Sequence, residues 1–218
     1  MTRYFKITEN SKKQFAEFIS NAAYAPLISI PVFALINYFL LDLANFIIIT
    51  GVCAIFTGLM PTLLVLWWLK GKNGNNKKID MDIPERTDRN YPLLLVALSY
   101  SIGVIVLYLL NAPLITTVLM FCYFSNTLGV FFINLHWKIS IHSMGVAGPA
   151  AALIYAFGLA GILFALIIPV VMWSRVYLKE HTLSQVIMGA LLGFFSTAGQ
   201  IYLILNILIL VYIDKPFK

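Results

Sequence analysis

Long apolar blocks separated by short polar stretches dominate the chain. The blocks cover residues 22–69, 92–135, 146–173 and 186–213. A helix needs about 20 residues to cross about 30 Å of hydrocarbon, because each residue adds about 1.5 Å. The first two blocks are therefore too long for one crossing each. Polar breaks at Asp42 and at residues 111–113 divide them into two predicted helical hairpins.

The apolar block that begins after His142 determines how the polar stretches are arranged across the membrane. As a single span it would leave His142 and His181 on opposite sides. Two short helices that turn at residues 157–161 would return both histidines to the same side. Gly158 and Gly161 favour such a turn, because glycine accepts positive φ without steric cost. We therefore expect two helices of about 15 residues each, or about 22 Å.

The fold class that follows is an all-α, polytopic membrane helical bundle of about six to seven transmembrane helices. Composition agrees, because 61% of the residues are hydrophobic and only 11% are charged. Residues 1–20 form an amphipathic segment, and residues 21–218 are predicted to form one integral-membrane domain. The predicted spans are 21–42, 45–69, 92–110, 113–135, 143–157, 161–174 and 186–213.

The amino-terminal segment and the two cysteines indicate no further function. Residues 1–20 lack the compact apolar region and the small-residue cleavage site of a signal peptide. Cys53 and Cys122 both lie in apolar runs, where cysteine acts as a small hydrophobic residue. Two such cysteines offer neither a disulfide nor a metal-binding spacing, so no metal site is expected.

Three polar clusters fall on one side of the membrane in this arrangement. They contain Glu85, Arg86, Asp88 and Arg89; Lys138, Ser140 and His142; and Ser174, Arg175, His181 and Gln185. Lysines at such boundaries are usually anchors whose ammonium groups reach the headgroups. His136 is expected to lie beside Trp137 in the interfacial aromatic belt. His142 and His181 differ, because each lies near a hydroxyl group and a cation at a predicted helix start.

The spacing of the third cluster resembles a known family motif. Ser174-Arg175, five residues, His181, three residues and Gln185 follow one another in this order. The order is similar to the third signature of the type 2 phosphatidic acid phosphatase (PAP2) superfamily, which ends in aspartate. The resemblance covers roughly residues 80–195 and points to a divergent membrane subfamily with glutamine in the last place. It implies a PAP2-like core.

The other two clusters resemble the remaining signatures less completely. In "KISIHSMG", Ser140 and His142 match the Pro-Ser-Gly-His signature, and isoleucines replace its proline and glycine. The stretch "ERTDRNYP" is the counterpart of the first signature, which reads Lys, six residues, Arg-Pro. In this comparison Arg86 and Arg89 take the place of its phosphate ligands.

The resemblance implies a metal-independent phosphatase that hydrolyses a phosphomonoester or diphosphate of a membrane lipid. In such an enzyme His181 attacks phosphorus and forms a phosphohistidine, and His142 protonates the leaving alkoxide and then helps to activate water. The implied substrates are phosphatidate or polyprenyl phosphates, held at the headgroup level among membrane lipids. No cofactor is expected, and nucleic acid is not expected as a partner.

Phosphate chemistry explains the basic residues of the clusters on physical grounds. A phosphate dianion needs fixed cations and hydrogen-bond donors, and the planar guanidinium group of arginine matches its oxygens. The predicted ligands are Arg86, Arg89, Lys138, Ser140 and Arg175. Backbone N–H groups at a helix start near His142 would add donors and a positive dipole end. Phosphoryl transfer depends mainly on such positioning and charge stabilisation.

Gln185 is the main departure from the family pattern. Four residues after His181, it lies on the same helical face and can accept the Nδ1–H bond of the imidazole. Unlike aspartate it brings no negative charge, so a weaker nucleophile is expected. Glu180, Glu85 or Asp88 are alternative sources of a carboxylate. The chain is thus predicted to be a slower phosphatase, or a PAP2-like protein that binds or transfers a lipid phosphate.

Three other protein classes fit parts of the pattern. A UbiA-type prenyltransferase would bind magnesium diphosphate through two Asp-rich loops, but only residues 80–88 are rich in carboxylates. A transporter or channel would place charged residues within its spans, whereas only Asp42, near a turn, comes close. A noncatalytic scaffold would make the three polar clusters accidental neighbours.

The cations are distributed unevenly between the two sides of the predicted bundle. An even number of crossings separates the amino terminus from each polar cluster, so all of them share one side. That side contains most of the lysines and arginines, and the other keeps only Lys215 and Lys218. Because positively charged loops stay inside, the site is predicted to face the cytoplasm.

Overall fold

The computed structural model describes residues 2–73, 83 and 85–213, and nearly all of them are helical. The helices are α1 (Thr2–Ala22), α2 (Ala25–Tyr38), α3 (Leu43–Ala54), α4 (Met60–Asn73), α5 (Asn90–Leu109), α6 (Leu114–Asn134), α7 (Ile141–Phe157), α8 (Leu159–Ala165), α9 (Ile167–Tyr177) and α10 (Leu183–Ile213). A π-helical turn (Ile55–Leu59) joins α3 to α4, and a 3₁₀ turn (Thr87–Arg89) leads into α5. The described residues contain no strand, so the predicted all-α class is confirmed.

Five helical segments of the described chain are long and apolar enough to cross a membrane. They are Leu43–Lys72, Thr87–Leu109, Leu114–Asn134, Leu159–Tyr177 and Leu183–Ile207. The pair Glu9–Ala22 and Ala25–Tyr38, bent by 56°, is a sixth if it is taken as one broken span. The protein is therefore membrane-embedded. By length and composition, five or six of the seven predicted spans qualify within the described residues. The predicted span 143–157 does not, because it is α7, with only 17 residues.

Helix α7 can be short because it lies at the centre of the bundle. Every residue from Ser143 to Leu153 is buried, and α2, α8, α9 and α10 pack around the helix. A helix enclosed by protein does not have to match the thickness of the lipid. Small residues let its neighbours approach closely. A Cβ atom at Gly193 of α10, for example, would lie 2.6 Å from the carbonyl oxygen of Met144.

Replacing Gly189 of α10 with alanine is expected to destabilise the protein. A Cβ atom at this position would lie 2.4 Å from the backbone carbonyl oxygen of Ser140, so one of the two backbones must move. Overpacking of this kind costs about 1–3 kcal/mol. The matched control on the same helix is Gly199→Ala, because a Cβ atom there meets nothing within 4 Å. Unfolding in detergent should show a loss of stability for Gly189→Ala and none for Gly199→Ala. Equal stabilities of the two variants would contradict the close approach of Gly189 to Ser140.

Helices α7 and α8 form the predicted hairpin, and the turn lies at Gly158. This residue has φ 59° and ψ −127°, a conformation that glycine adopts far more readily than other residues. Gly161 allows α8 to pack closely against α7, because a Cβ atom there would lie 2.4 Å from the carbonyl oxygen of Leu153. The returning arm, Leu159–Tyr177, has 19 residues and is longer than expected. The turn brings the start of α7 and the end of α9 to the same end of the bundle.

Both predicted hairpin breaks have a local cause. The Asp42 side chain caps α3 by accepting hydrogen bonds from two of its backbone N–H groups, at 3.0 and 3.1 Å. Asn111 ends α5 in a left-handed conformation, with φ 53°. The Ala112 N–H then bonds to the Leu107 carbonyl at 3.0 Å, which closes the helix as in a Schellman motif.

Helix α1 is amphipathic and packs against α9. Ala16 and Ser20, one turn apart, are buried, whereas Lys13 is exposed. The ring centroid of Phe15 lies 6.0 Å from that of Trp173 on α9. The amino-terminal amphipathic segment is thus attached to the bundle next to the end of α9.

Candidate functional site

A cavity of about 150 Å³ extends from the end of the bundle where α7 begins and α9 ends into the interior, as far as Tyr100 of α5 and Leu119 of α6. Its lining includes the polar side chains of Arg89, His142 and His181, which come from three separate parts of the chain. Apolar residues form much of the remaining wall, among them Pro26, Val65, Leu93, Val96, Leu119 and Met144. The structure therefore brings both predicted catalytic histidines and one predicted phosphate ligand to one cavity.

His181 lies in the short loop between α9 and α10. Lys179 follows α9 with φ 60°, and its N–H bonds to the Val176 carbonyl at 3.0 Å. The Glu180 N–H reaches back to the Arg175 carbonyl at 3.1 Å. These two bonds form a Schellman motif, in which glycine usually occupies the left-handed position. His181 comes directly after this tight turn and is only 6% exposed.

The Gln185 side chain determines which nitrogen of the His181 ring carries a proton. Gln185 Oε1 lies 3.0 Å from His181 Nδ1 and accepts the Thr182 backbone N–H at 3.2 Å. Because a backbone N–H can only donate, the atom that it reaches is the amide oxygen, which can only accept. Nδ1 therefore carries the proton, and Nε2 of the neutral ring keeps its lone pair. The predicted contact between Gln185 and His181 is confirmed.

The surroundings of His181 favour its neutral form. Burial first, and then the positive charge of Arg89, lower the pKa of His181 to about 3, while the bond to Gln185 opposes this shift. Arg175 and Lys138 add smaller lowering contributions. The ring is therefore neutral at physiological pH and becomes charged only in strong acid.

His181 is expected to stay neutral down to about pH 5, two units above this pKa. In Gln185→Glu a carboxylate of the same length replaces the amide, so the pKa of His181 should rise. Nitrogen-15 NMR of histidine-labelled protein in detergent measures both the tautomer and the titration. A wild-type His181 ring that titrates near its ordinary pKa would contradict the buried, cation-flanked position.

Arg89 is the predicted phosphate ligand that lines the cavity. The side chain is 5% exposed. Its Nε donates to the Ile83 carbonyl at 2.6 Å, and Nη1 lies 3.5 Å from the Ile139 carbonyl. These bonds hold the guanidinium group between the segment before α5 and the segment before α7. A cation is thereby fixed at the polar end of the cavity.

Arg86 does not line this cavity. Its Nη1 donates to the Asn134 carbonyl at 2.6 Å, and Asn134 Nδ2 donates back to the Arg86 carbonyl at 2.7 Å. The pair closes the carboxyl-terminal end of α6, where helix carbonyls lack partners within the helix. Arg86 thus connects the segment before α5 to α6, and its part in phosphate binding stays a prediction.

Arg175 and Lys138 lie near His181 but do not line the cavity. Arg175 is completely buried, its Nη1 donates to Ser20 Oγ of α1, and its Nη2 lies 3.9 Å from Glu180 Oε2. Lys138 Nζ donates to the Glu180 carbonyl at 2.9 Å. Both cations therefore hold the loop that carries His181.

Ser140 forms the N-cap of α7. Its Oγ accepts the Ser143 backbone N–H at 3.3 Å and the Ser143 hydroxyl at 3.1 Å. The Ser140 N–H donates to the Gln185 carbonyl at 3.2 Å, which attaches the start of α7 to α10. His142, in the first turn of α7, consequently lies at the positive end of the helix dipole. A phosphate contact of Ser140 stays a prediction.

The three alternative carboxylates have other surroundings. Glu180 faces Arg175, as described above, and Asp88 forms an ion pair with Lys72. Glu85 is exposed. Within the described part of the chain, the hydrogen-bond partner of His181 Nδ1 is Gln185.

The sequence pattern did not predict Ser20 or a polar pair inside the bundle. Asn126 Nδ2 donates to Thr197 Oγ1 at 2.9 Å, and both residues line the cavity. The signal for this pair is a polar side chain in each of two apolar helices, because such groups are costly in a membrane unless they are bonded. The signal for Ser20 is its position one turn after Ala16 on the buried face of α1.

No group of three or more His, Cys, Asp or Glu side chains that could hold a metal ion occurs in the ranges that the structure describes. No protein-family model, no curated protein sequence and no solved structure matches the chain. The fold and the site together define a class of protein: a membrane-embedded helical bundle with two histidines and an arginine in a cavity at one end.

Proposed function

We propose that the protein is a lipid-phosphate phosphatase that works through a phosphohistidine at His181. The observation that supports this most is the cavity that His181 shares with His142 and Arg89, much of whose remaining wall is apolar. Because His181 Nδ1 donates to Gln185, Nε2 is available as a nucleophile. A nucleophile, an acid–base group and a fixed cation are the parts that phosphoryl transfer through a covalent intermediate requires.

In the first half of the proposed reaction, the Nε2 lone pair of His181 forms a bond to phosphorus. The bond between phosphorus and the lipid oxygen breaks at the same time. Protonated His142 gives its proton to the leaving alkoxide, which departs as an alcohol. With a lipid diphosphate, the leaving group is the lipid monophosphate.

In the second half, a water molecule attacks the phosphorus of the phosphohistidine. Neutral His142 accepts a proton from this water, and the bond between phosphorus and Nε2 breaks. The electron pair returns to Nε2, and inorganic phosphate leaves. His142 is then protonated again, and His181 keeps its Nδ1–H bond to Gln185 throughout.

Positive charge around His181 would serve substrate binding in this mechanism, and it does not replace the missing carboxylate. Arg89 in the cavity, with Arg175 and Lys138 behind the loop, surrounds His181 with cations. Such a field attracts a phosphate that carries up to two negative charges. The same field keeps His181 unprotonated, so that its Nε2 lone pair is available. When the phosphate binds, its negative charge partly neutralises this field.

The apolar wall of the cavity supports a lipid as the substrate. Leu93, Val96 and Leu119 lie on the membrane-spanning helices α5 and α6 and line the same cavity as Arg89 and His181. A phosphate at the headgroup level could therefore contact the histidines while the first part of its hydrocarbon chain lies against these residues. Phosphatidate, polyprenyl phosphates and polyprenyl diphosphates all have this arrangement of charge and apolar chain.

The direct test is phosphate release by purified protein in detergent from a panel of these lipids. We expect release from at least one of them, and we expect it to continue with EDTA present, because the proposed steps use only side chains and water. Binding without release would favour a lipid-phosphate binding protein. Transfer of phosphate to an added lipid alcohol, in place of release, would favour a phosphotransferase.

We further propose that the site faces the cytoplasm, because the predicted order of spans puts the loop lysines and the amino-terminal cations on the same side of the membrane as the site. A single cysteine at Asn75, which lies outside the described residues, should resist a membrane-impermeant maleimide in intact cells and react after lysis. Cys53 and Cys122 are removed for this experiment. Labelling in intact cells would reverse the orientation. A single cysteine at Lys218, also outside the described residues, tests the opposite side of the membrane and should react with the same maleimide in intact cells.

A further inference from the structure

Ser20 connects the amphipathic helix α1 to the end of α9. It is 4% exposed, and its Oγ accepts a hydrogen bond from Arg175 Nη1. The two residues are 155 positions apart in the chain. The amphipathic helix α1 therefore contributes a side chain to the surroundings of the candidate site.

Arg175 in turn contacts the loop that carries His181 through both its backbone and its side chain. Its carbonyl oxygen accepts the backbone N–H groups of Glu180 and His181, at 3.1 and 3.3 Å. Its Nη2 lies 3.9 Å from the carboxylate of Glu180. The loop also contains Lys179 with φ 60°, a conformation that residues other than glycine rarely adopt. Such a turn persists only when its surroundings hold it in place.

A second cation, from another part of the chain, holds the same loop. Lys138, in the segment before α7, donates from Nζ to the Glu180 carbonyl at 2.9 Å. The loop before His181 is therefore fixed on one side by α1 through Arg175, and on the other by the segment that leads to His142. The relative position of the two histidines depends on both contacts.

We propose that Ser20 is a positioning residue, which orients the Arg175 guanidinium group so that Arg175 holds the His181 loop against the cavity. The catalytic consequence rests on the proposed phosphatase function. Arg175 then acts on the loop and not directly on phosphate, which differs from the role that the family resemblance implies. The position of Arg175 supports this, because it is completely buried and does not line the cavity.

The contacts of α1 make it a firm support for this purpose. The Phe15 ring lies 6.0 Å from the Trp173 ring, and Ile19 packs against the buried cluster of Ala23, Val146 and Val171. Without the Ser20 hydroxyl, the buried guanidinium group would lose one acceptor of its Nη1 group, and its side chain should reorient. The loop that it holds should then shift relative to the cavity.

The first test is kinetic and compares Ser20→Ala with Ser20→Thr and Asn21→Ala. We expect Ser20→Ala to lower kcat about tenfold and to change KM by less than about twofold, because it disturbs the nucleophile and not the cation that binds phosphate. Ser20→Thr keeps the hydroxyl and should restore kcat. Asn21→Ala, an exposed position on the same helix, should behave like the wild type.

The second test does not require turnover. In histidine-labelled protein, the nitrogen-15 signals of the His181 ring should shift in Ser20→Ala and stay in place in Asn21→Ala. The variant Glu180→Gln removes the ion pair between Glu180 and Arg175 at a partly exposed position, so it should fold even if Ser20→Ala does not. We expect the same His181 signals to shift in this variant.

The outcomes separate the two proposals. A fall in kcat together with shifted His181 signals supports the positioning role. Shifted signals in a chain that releases no phosphate would overturn the phosphatase proposal and leave the coupling between Ser20 and His181 in place. Unchanged His181 signals, or a Ser20→Ala variant that alters KM and not kcat, would overturn the positioning role. A change in KM alone would instead favour the role that the family resemblance implies, in which Arg175 binds phosphate.

Discussion

Replacing His181 with alanine is expected to abolish phosphate release, with a loss of at least about 10⁴-fold, because loss of the nucleophile removes the covalent step. The folded protein should survive the change. The contacts that close the loop are backbone bonds to the Arg175 carbonyl, which alanine retains. Release of phosphate from a lipid substrate and unfolding in detergent should be measured on the same preparation.

The matched control for this variant is His136→Ala. His136 is exposed and does not line the cavity, so its loss should leave both activity and stability close to those of the wild type. Wild-type enzyme denatured during turnover should also carry phosphate that is labile in acid and stable in base, as expected for a phosphohistidine. Turnover by His181→Ala, or a trapped phosphate with another stability, would exclude His181 as the nucleophile.

Replacing Arg89 with glutamine is expected to lower kcat/KM by about 10²–10³-fold, the usual effect of removing one preorganised donor from a developing charge. Arg89 lines the cavity beside both histidines, and its charge acts on His181. Glutamine keeps part of the polarity and length but removes the cation. The measurement is the rate of phosphate release across a range of lipid concentrations, which separates kcat from KM.

The informative comparison is Arg86→Gln, because the sequence motif assigns both arginines to phosphate. Arg86 donates a hydrogen bond to the carboxyl-terminal end of α6. Its replacement is therefore expected to lower the stability of the fold and to leave kcat nearly unchanged. An equal loss of kcat/KM in the two variants, with stability unchanged in both, would show that Arg86 also reaches the substrate. A larger loss for Arg86 would contradict the placement of Arg89 as the main cation of the cavity.

The sequence by itself determined the helices and most of their ends. Asp42 and Asn111 interrupt the apolar blocks, and each acts through bonds to backbone groups within a few residues, so local chemistry is sufficient. Gly158 marks the hairpin for the same reason, because its backbone angles need a residue without Cβ. The sequence also predicts the contact between His181 and Gln185, but its basis differs: His181 lies in the loop before α10, and Gln185, in the first turn of α10, accepts the Nδ1–H of His181 and the backbone N–H of the next residue.

Only the tertiary structure decided which cations surround the histidines. Arg86, Arg89 and Arg175 carry the same charge on equally long side chains, and their motif positions do not distinguish them. Packing places Arg89 in the cavity, Arg86 at the end of α6, and Arg175 beneath the His181 loop.

The same limit applies to the centre of the bundle and to α1. The short length of α7 is acceptable because other helices enclose it, and Gly161 is needed because another backbone lies 2.4 Å from its missing Cβ. Ser20 meets Arg175 across 155 positions. Such contacts depend on the relative placement of whole helices, which the local order of polar and apolar residues does not specify.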